Sequence, residues 1–190
     1  MEADWEAEIG KEAPVIDASW PGFVDLRVAP ERAAQLPEAQ QLPALADALV
    51  RLNAPCSPVW TAKSDVWDPD EFDPDELDAP ADAGTYAIAC YIDLLPRTDQ
   101  QWPTPADAIA AAKAISARIT PVVLRSCRAD LVLRRAFIAP ARPDLGITAY
   151  LTAIGSTRME AVSTLAAALR IFVDAVLRPD CTTDATSTLK

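Results

Sequence analysis

Carboxylates dominate the chemistry open to this chain. Between Asp65 and Asp78 the unit aromatic-Asp-Pro-Asp-Glu occurs twice in tandem, as Trp67-Asp68-Pro69-Asp70-Glu71 and Phe72-Asp73-Pro74-Asp75-Glu76. Like charges at this density repel one another and extend the backbone, so the tract should stand in solvent or clasp something cationic. Its aromatic residues allow two readings. In the first, Trp67 and Phe72 insert into a basic partner beside Asp68, Asp70, Glu71, Asp73, Asp75 and Glu76. In the second, they pin a solvated, proline-stiffened loop to its own domain. Carboxylates also suit calcium, but the spacing is not that of an EF-hand and the two prolines limit wrapping.

A second set of acids, Asp25, Asp65, Asp93 and Asp130, falls on expected strands or at their ends. In a split βαβ fold the first and third strands are central neighbours, which would bring Asp25 and Asp93 together as a carboxylate pair able to hold Mg²⁺. No glycine-rich turn or lysine cluster accompanies them to take a triphosphate, so strand-face acids paired with Arg134 or Arg135 are the simpler account. Arg125, Arg128, Arg134 and Arg135 form a basic cluster able to clamp a carboxylate or phosphate. Pairing with the acidic tract is the expectation, because it offsets a concentration of negative charge. Cys90 falls on an apolar strand face, where a thiol usually acts as a small hydrophobe.

Absences narrow the field further. The chain has no histidine, which removes Ser-His-Asp and Cys-His systems, histidine general bases and imidazole metal sites. Its five glycines, at 10, 22, 84, 146 and 155, cannot compose a phosphate-binding loop. A formal net charge of −11 disfavours nucleic acid, whose binding depends on Lys and Arg neutralising phosphates. The acidic start, Met1-Glu2-Ala3-Asp4-Trp5, does not read as a signal peptide, and no apolar run approaches the ~20 residues of a membrane span. Cys56, Cys90, Cys127 and Cys181 lie far apart without C-x-x-C spacing, so reduced thiols in the cytoplasm are expected.

The elements that must position these groups follow from periodicity. Residues 1–21 read as an arm anchored by Trp5, Ile9, Val15, Ile16 and Trp20. Phe23 to Val28 alternates as a strand that Pro30 ends. Leu42, Leu45, Leu49 and Leu52 share a helical face, with Pro43 in the first turn. Two strands follow, Pro58 to Trp67 and Thr85 to Leu95, the second with Tyr86, Ile88, Cys90, Ile92 and Leu94 on one face. Thr104-Pro105-Ala106-Asp107 starts a helix that buries Ala108, Ala112, Ile115 and Ile119. Asp130 to Ala139 and Ile147 to Ile154 read as a hairpin joined through residues 140–144. Thr157 and Glu160 make a capping box for a last helix running to Pro179, and residues 180–190 read as a disordered tail.

This order predicts an α+β fold: a ferredoxin-like, split βαβ antiparallel sheet with an added C-terminal strand and long helix. The domain would span residues 22–179, with an acidic insert at 65–83. Ala87, Ala89, Ala149 and Ala153 would leave a small-residue face for a further element or a second subunit, making a homo-oligomer one alternative. A small-molecule or Mg²⁺-dependent enzyme using Asp25 and Asp93 is another. The leading expectation is a non-enzymatic protein-binding module without cofactor: an acidic inhibitor or immunity-type protein acting on a basic partner.

Overall fold

The computed structural model describes residues 1–18, 22–73, 75–77, 86–97, 102–139 and 142–177. In chain order the elements are β1 (Glu2–Glu8), β2 (Val15–Asp17), a 3-10 turn (Pro30–Gln35), α1 (Pro37–Gln41) and α2 (Pro43–Leu52). They continue with β3 (Val59–Trp67), a 3-10 turn (Asp75–Leu77), β4 (Tyr86–Pro96), α3 (Pro105–Ile119), β5 (Cys127–Ala139), β6 (Arg142–Gly155) and α4 (Arg158–Val176). The fold is α+β. Its sheet has the order β1-β5-β6-β4-β3, and β2 pairs with the far end of β5.

The sheet is mixed rather than antiparallel. β1 runs parallel to Arg128–Arg134 and β2 parallel to Arg135–Phe137, so the two form one interrupted edge. The remaining neighbours, β5–β6, β6–β4 and β4–β3, are antiparallel. The segment expected to pack as an arm therefore contributes two strands, while the expected first strand is absent. At Phe23–Val28, Asp25 accepts hydrogen bonds from the Arg27 backbone (2.9 Å) and guanidinium (2.7 Å), and its carbonyl accepts from Val28 and Ala29. An aspartate bonding to its own backbone two residues on favours a turn over an extended strand, and here that preference overrides the alternation.

One sheet face carries the core. Ile88, Cys90, Ile92 and Leu94 of β4, Leu131 and Leu133 of β5, and Ile147, Ala149, Leu151 and Ala153 of β6 all point toward the helices. Leu45, Leu49 and Leu52 of α2, Ala108, Ala112, Ile115 and Ile119 of α3, and Leu165, Leu169, Phe172 and Val173 of α4 meet them. Each fully buried large side chain contributes about 1.5–3 kcal/mol. The expected alanine seam is divided: Ala149 and Ala153 lie under the helices, whereas Ala87 packs on the opposite face with Leu77 and Ile154. Strand register explains this, since Ala149 pairs with Ile92 and Ala153 with Ile88.

Local signals set the helix starts. Thr104 and Asp107 form a reciprocal capping box ahead of Pro105. Thr157 caps α4 through the Glu160 amide, but the Glu160 carboxylate accepts from Ser156 instead of closing the box on Thr157. Gly155 permits this approach, because a Cβ there would lie 2.6 Å from the Ala161 amide nitrogen. Among the described residues no helix is long and apolar enough to cross a membrane. Cys90 and Cys127 are free and buried, whereas Cys56 is disulfide-bonded, contrary to the expectation of reduced thiols. Residues 180–190, Trp20 and the 78–83 end of the insert lie outside the described residues.

Candidate functional site

Among the described residues the second face of the sheet carries no α-helix, and it gathers most of the chemistry identified in the sequence. Along β4 it passes from Leu95 through Asp93, Tyr91 and Ala89 to Ala87. At one end Leu95 joins Ile16, Trp60, Ala62 and Ala136 in a small apolar cluster. At the other, Ala87, Ile154 and Leu77 form a second cluster, with Phe72 packed against it. Two polar zones lie between these clusters.

The first zone is a pocket of about 330 Å³ lined by Val15, Asp17, Lys63, Tyr91, Asp93, Arg134, Thr148 and Tyr150. Asp93 is buried at 7% exposure, and the Thr148 hydroxyl donates to its Oδ1 at 2.6 Å. Opposite Asp93 the β3–β4 register shifts between Thr61 and Ser64, a bulge that brings Lys63 to the pocket wall. Bulges commonly re-aim a side chain beside a functional site. Arg134 donates to Glu8 (2.9 Å) and to the Tyr150 hydroxyl (2.9 Å), and the Tyr91 and Tyr150 rings lie 5.9 Å apart. A larger cavity, about 540 Å³, follows β3 past Leu26, Leu36 and Pro37 and shares Lys63, but polar residues make up a smaller share of its lining.

Burial pushes the Asp93 carboxyl up, against the opposing effects of the Thr148 hydrogen bond and the Arg134 and Lys63 charges. The folded state thus holds the Asp93 proton more tightly than the unfolded chain does, and ionising this carboxyl at neutral pH costs folding stability. That penalty fades as pH falls through the raised folded value toward the unfolded one near ~3.9. Asp93→Asn should therefore melt at a higher temperature than wild type at pH 7, with the difference closing toward about pH 4. Thermal scans from pH 4 to 7 test this; a lower Tm at pH 7 would show that the ionised acid is not a burden. Burial, with Asp93 and Asp65 adding to it, also raises the Tyr91 phenol well above its ordinary value.

The second zone centres on Arg128. Its guanidinium lies 2.7 Å from Asp130, 3.8 Å from Asp4 and 4.0 Å from Glu2, and Glu76 of the tract adds to the negative field there. The acids of β1 and of the tract thus meet at one arginine. Trp67, 38% exposed, lines a groove with the tract acids Glu71, Asp73 and Glu76 that reaches Arg128 and Asp130, and its ring lies 6.2 Å from Tyr91 and 6.5 Å from Tyr150.

The sequence-derived sites divide accordingly. Asp68, Asp70, Glu71, Asp73 and Glu76 are exposed, while Phe72 is half-buried. The tract is held to the sheet by Phe72 and Leu77, and the side chain of Asp75 lies outside the description. The arginine cluster mostly pairs elsewhere than expected. Arg134 takes Glu8 and Arg135 the Lys11 carbonyl, while Asp68 pairs with Arg158 at 3.4 Å. Local geometry decides these pairs, because β1 lies directly beside β5.

Asp25 is not on a central strand beside Asp93. It sits in its turn, where the Arg27 guanidinium holds its carboxyl below the usual range. Among the described residues no cluster of three or more His, Cys, Asp or Glu is arranged to hold a metal. Burial pushes the Cys90 thiol up to about 12 and Cys127 to about 11, leaving both as inert protonated thiols at neutral pH.

No family model matches the chain, and comparisons with curated proteins and with solved structures also find no match. The site therefore stands on its geometry. Sequence reasoning missed the acids of β1, although Glu2, Asp4, Glu6 and Glu8 alternate with Ala3, Trp5 and Ala7 in the period-2 pattern of a strand. It also missed the bulge, which no turn residue announces.

Proposed function

We propose that the chain is a non-enzymatic protein-binding module that takes a basic protein on the open face of its sheet, in the manner of an acidic inhibitor or immunity-type antagonist. One observation carries this reading. Acids from two separate stretches, β1 and the tract, converge around Arg128, and the tract acids line one groove with Arg128 and the exposed Trp67 ring. An aromatic anchor beside a charged rim suits tight protein recognition: the ring supplies desolvated contact, and the rim steers the partner and sets salt dependence. The net charge of −11 adds a long-range field of the same sign.

The scaffold we infer is ferredoxin-like in its β3–β6 portion, where β4, α3 and β5 make a split βαβ unit with β6 between the two strands. β1 and β2 extend that sheet and bring a second set of acids to it.

The test starts with affinity capture from native extract, followed by association kinetics of each purified candidate with three baits. The baits are wild type, a variant neutralised to Asn or Gln at 68, 70, 71, 73, 75 and 76, and Trp67→Ala. A basic protein should associate at least about tenfold more slowly with the neutralised bait and with a flatter salt dependence. It should also dissociate faster from Trp67→Ala. A partner that ignores both changes sinks the proposal, as does the capture of acidic or neutral proteins alone. A solution mass of twice the chain in the absence of partner would favour a homo-oligomer instead.

A further inference from the structure

We propose that the pocket between Asp93 and Lys63 binds a small zwitterion of the α-amino-acid type. Asp93 receives its ammonium group, Lys63 receives its carboxylate, and the Tyr91 and Tyr150 rings flank its side chain. This goes beyond the proposed protein-binding role and does not depend on it.

Three features select that chemistry. The first is charge placement. Asp93 projects from the middle of β4 and Lys63 from the bulge opposite, both lining one cavity. No ion pair closes between them. Thr148 occupies one oxygen of Asp93 from the neighbouring strand, and Lys63 remains exposed. A ligand carrying both charges completes two interactions that the protein leaves open.

The second is the state of the surrounding donors. Arg134 is already committed to Glu8 and to the Tyr150 oxygen, so it orients the phenol as an acceptor and leaves the Tyr150 proton for another group. Lys63 is left as the cation for an incoming carboxylate. A dicarboxylate would set its second charge against Asp93, and a neutral saccharide would give Lys63 no counter-charge. The third is size: about 330 Å³ is at the small end of ligand sites and accommodates a single amino acid.

Calorimetric or NMR titration of the full chain with the free amino acids provides the test. Each binder is compared with its N-acetyl and amide derivatives, and succinate and glucose serve as probes of the rival chemistries. At least one free amino acid should saturate at one per chain, and blocking either charged end should weaken it about tenfold or more. Asp93→Asn and Lys63→Met should each give a similar loss, while Glu31→Gln, at an exposed position in the Pro30–Gln35 turn, binds as wild type. The derivative series on wild-type protein decides the matter even if a variant folds poorly. The inference is overturned by the absence of binding at millimolar concentration, by equal binding of blocked derivatives, or by preference for succinate or glucose. Indifference to both pocket substitutions also overturns it.

Discussion

Truncating Phe172 to alanine lowers the folding free energy by about 3–5 kcal/mol, the range for removing a fully buried aromatic ring. Phe172 has no exposed surface and projects from α4 into the core among residues of α2 and the sheet. Its loss removes the transfer free energy of the ring and leaves a cavity that rigid strands cannot close, because the sheet beneath is held by continuous ladders from Tyr86 to Leu94 and from Cys127 to Phe137. Against a usual total of about 5–15 kcal/mol, that is a large share. Urea unfolding should show a lower midpoint with an unchanged slope. A loss below about 1 kcal/mol would mean that α4 does not pack on the sheet as described.

Gly146→Ala is the second large effect, and it acts on the open face. A Cβ at this position would lie 2.6 Å from Ile16 Cδ1, 2.9 Å from the Leu94 carbonyl oxygen and 2.9 Å from Leu95 Cδ2. The two side-chain tips can turn aside, but the Leu94 carbonyl belongs to a paired strand and cannot. Overpacking of this kind typically costs about 1–3 kcal/mol. Ile16 lies in the middle of β2, a strand of only three residues, so its displacement should release β2 from β5 before the rest of the sheet yields. Hydrogen exchange at Val15–Asp17 should accelerate in the variant while protection on β4 and β6 is kept. Equal protection of β2 in both proteins would refute the close packing at Gly146.

The strands and helices with strong periodicity were legible in the sequence for a physical reason: each has one face that must be buried. The β4 pattern from Tyr86 to Leu95 and the α4 pattern from Leu165 to Val176 needed no tertiary information. Phe23–Val28 has an equally clean alternation, yet Asp25 supplies its own local hydrogen-bond acceptor and Val28 remains 82% exposed. β3 shows the opposite limit. Trp60, Ala62, Ser64 and Val66 make one alternating set; Trp60 and Ala62 face the open side, but Val66 lies in the main core. The extra residue at the bulge reverses the phase, and composition carries no sign of it.

The site was legible in parts. Asp93 and the tract could be named from residue type alone. Their relation to one another could not, because it depends on which strand lies beside β5. Glu8 reaches Arg134 across 126 positions of chain, a pairing that local pattern cannot foresee. The pairing of Asp68 with Arg158 likewise depends on where α4 begins relative to the end of β3.

The pairing of β1 with β5 has a kinetic consequence. Each residue of β1 has its ladder partner 126 positions later in the chain, so this edge closes one of the longest loops in the fold. Closing such a loop spends chain entropy before any contact repays it, whereas the β5–β6 hairpin closes locally. The acidic strand is therefore set to dock late, onto a sheet already assembled from β3 to β6. Until it docks, the outer backbone of β5 is an uncovered edge between Arg128 and Phe137, open to pairing with another chain. During that interval the side chains of Arg128 and Arg134 lack their β1 carboxylates. The negative charge that later dominates this face is also what keeps the completed edge from recruiting a further strand.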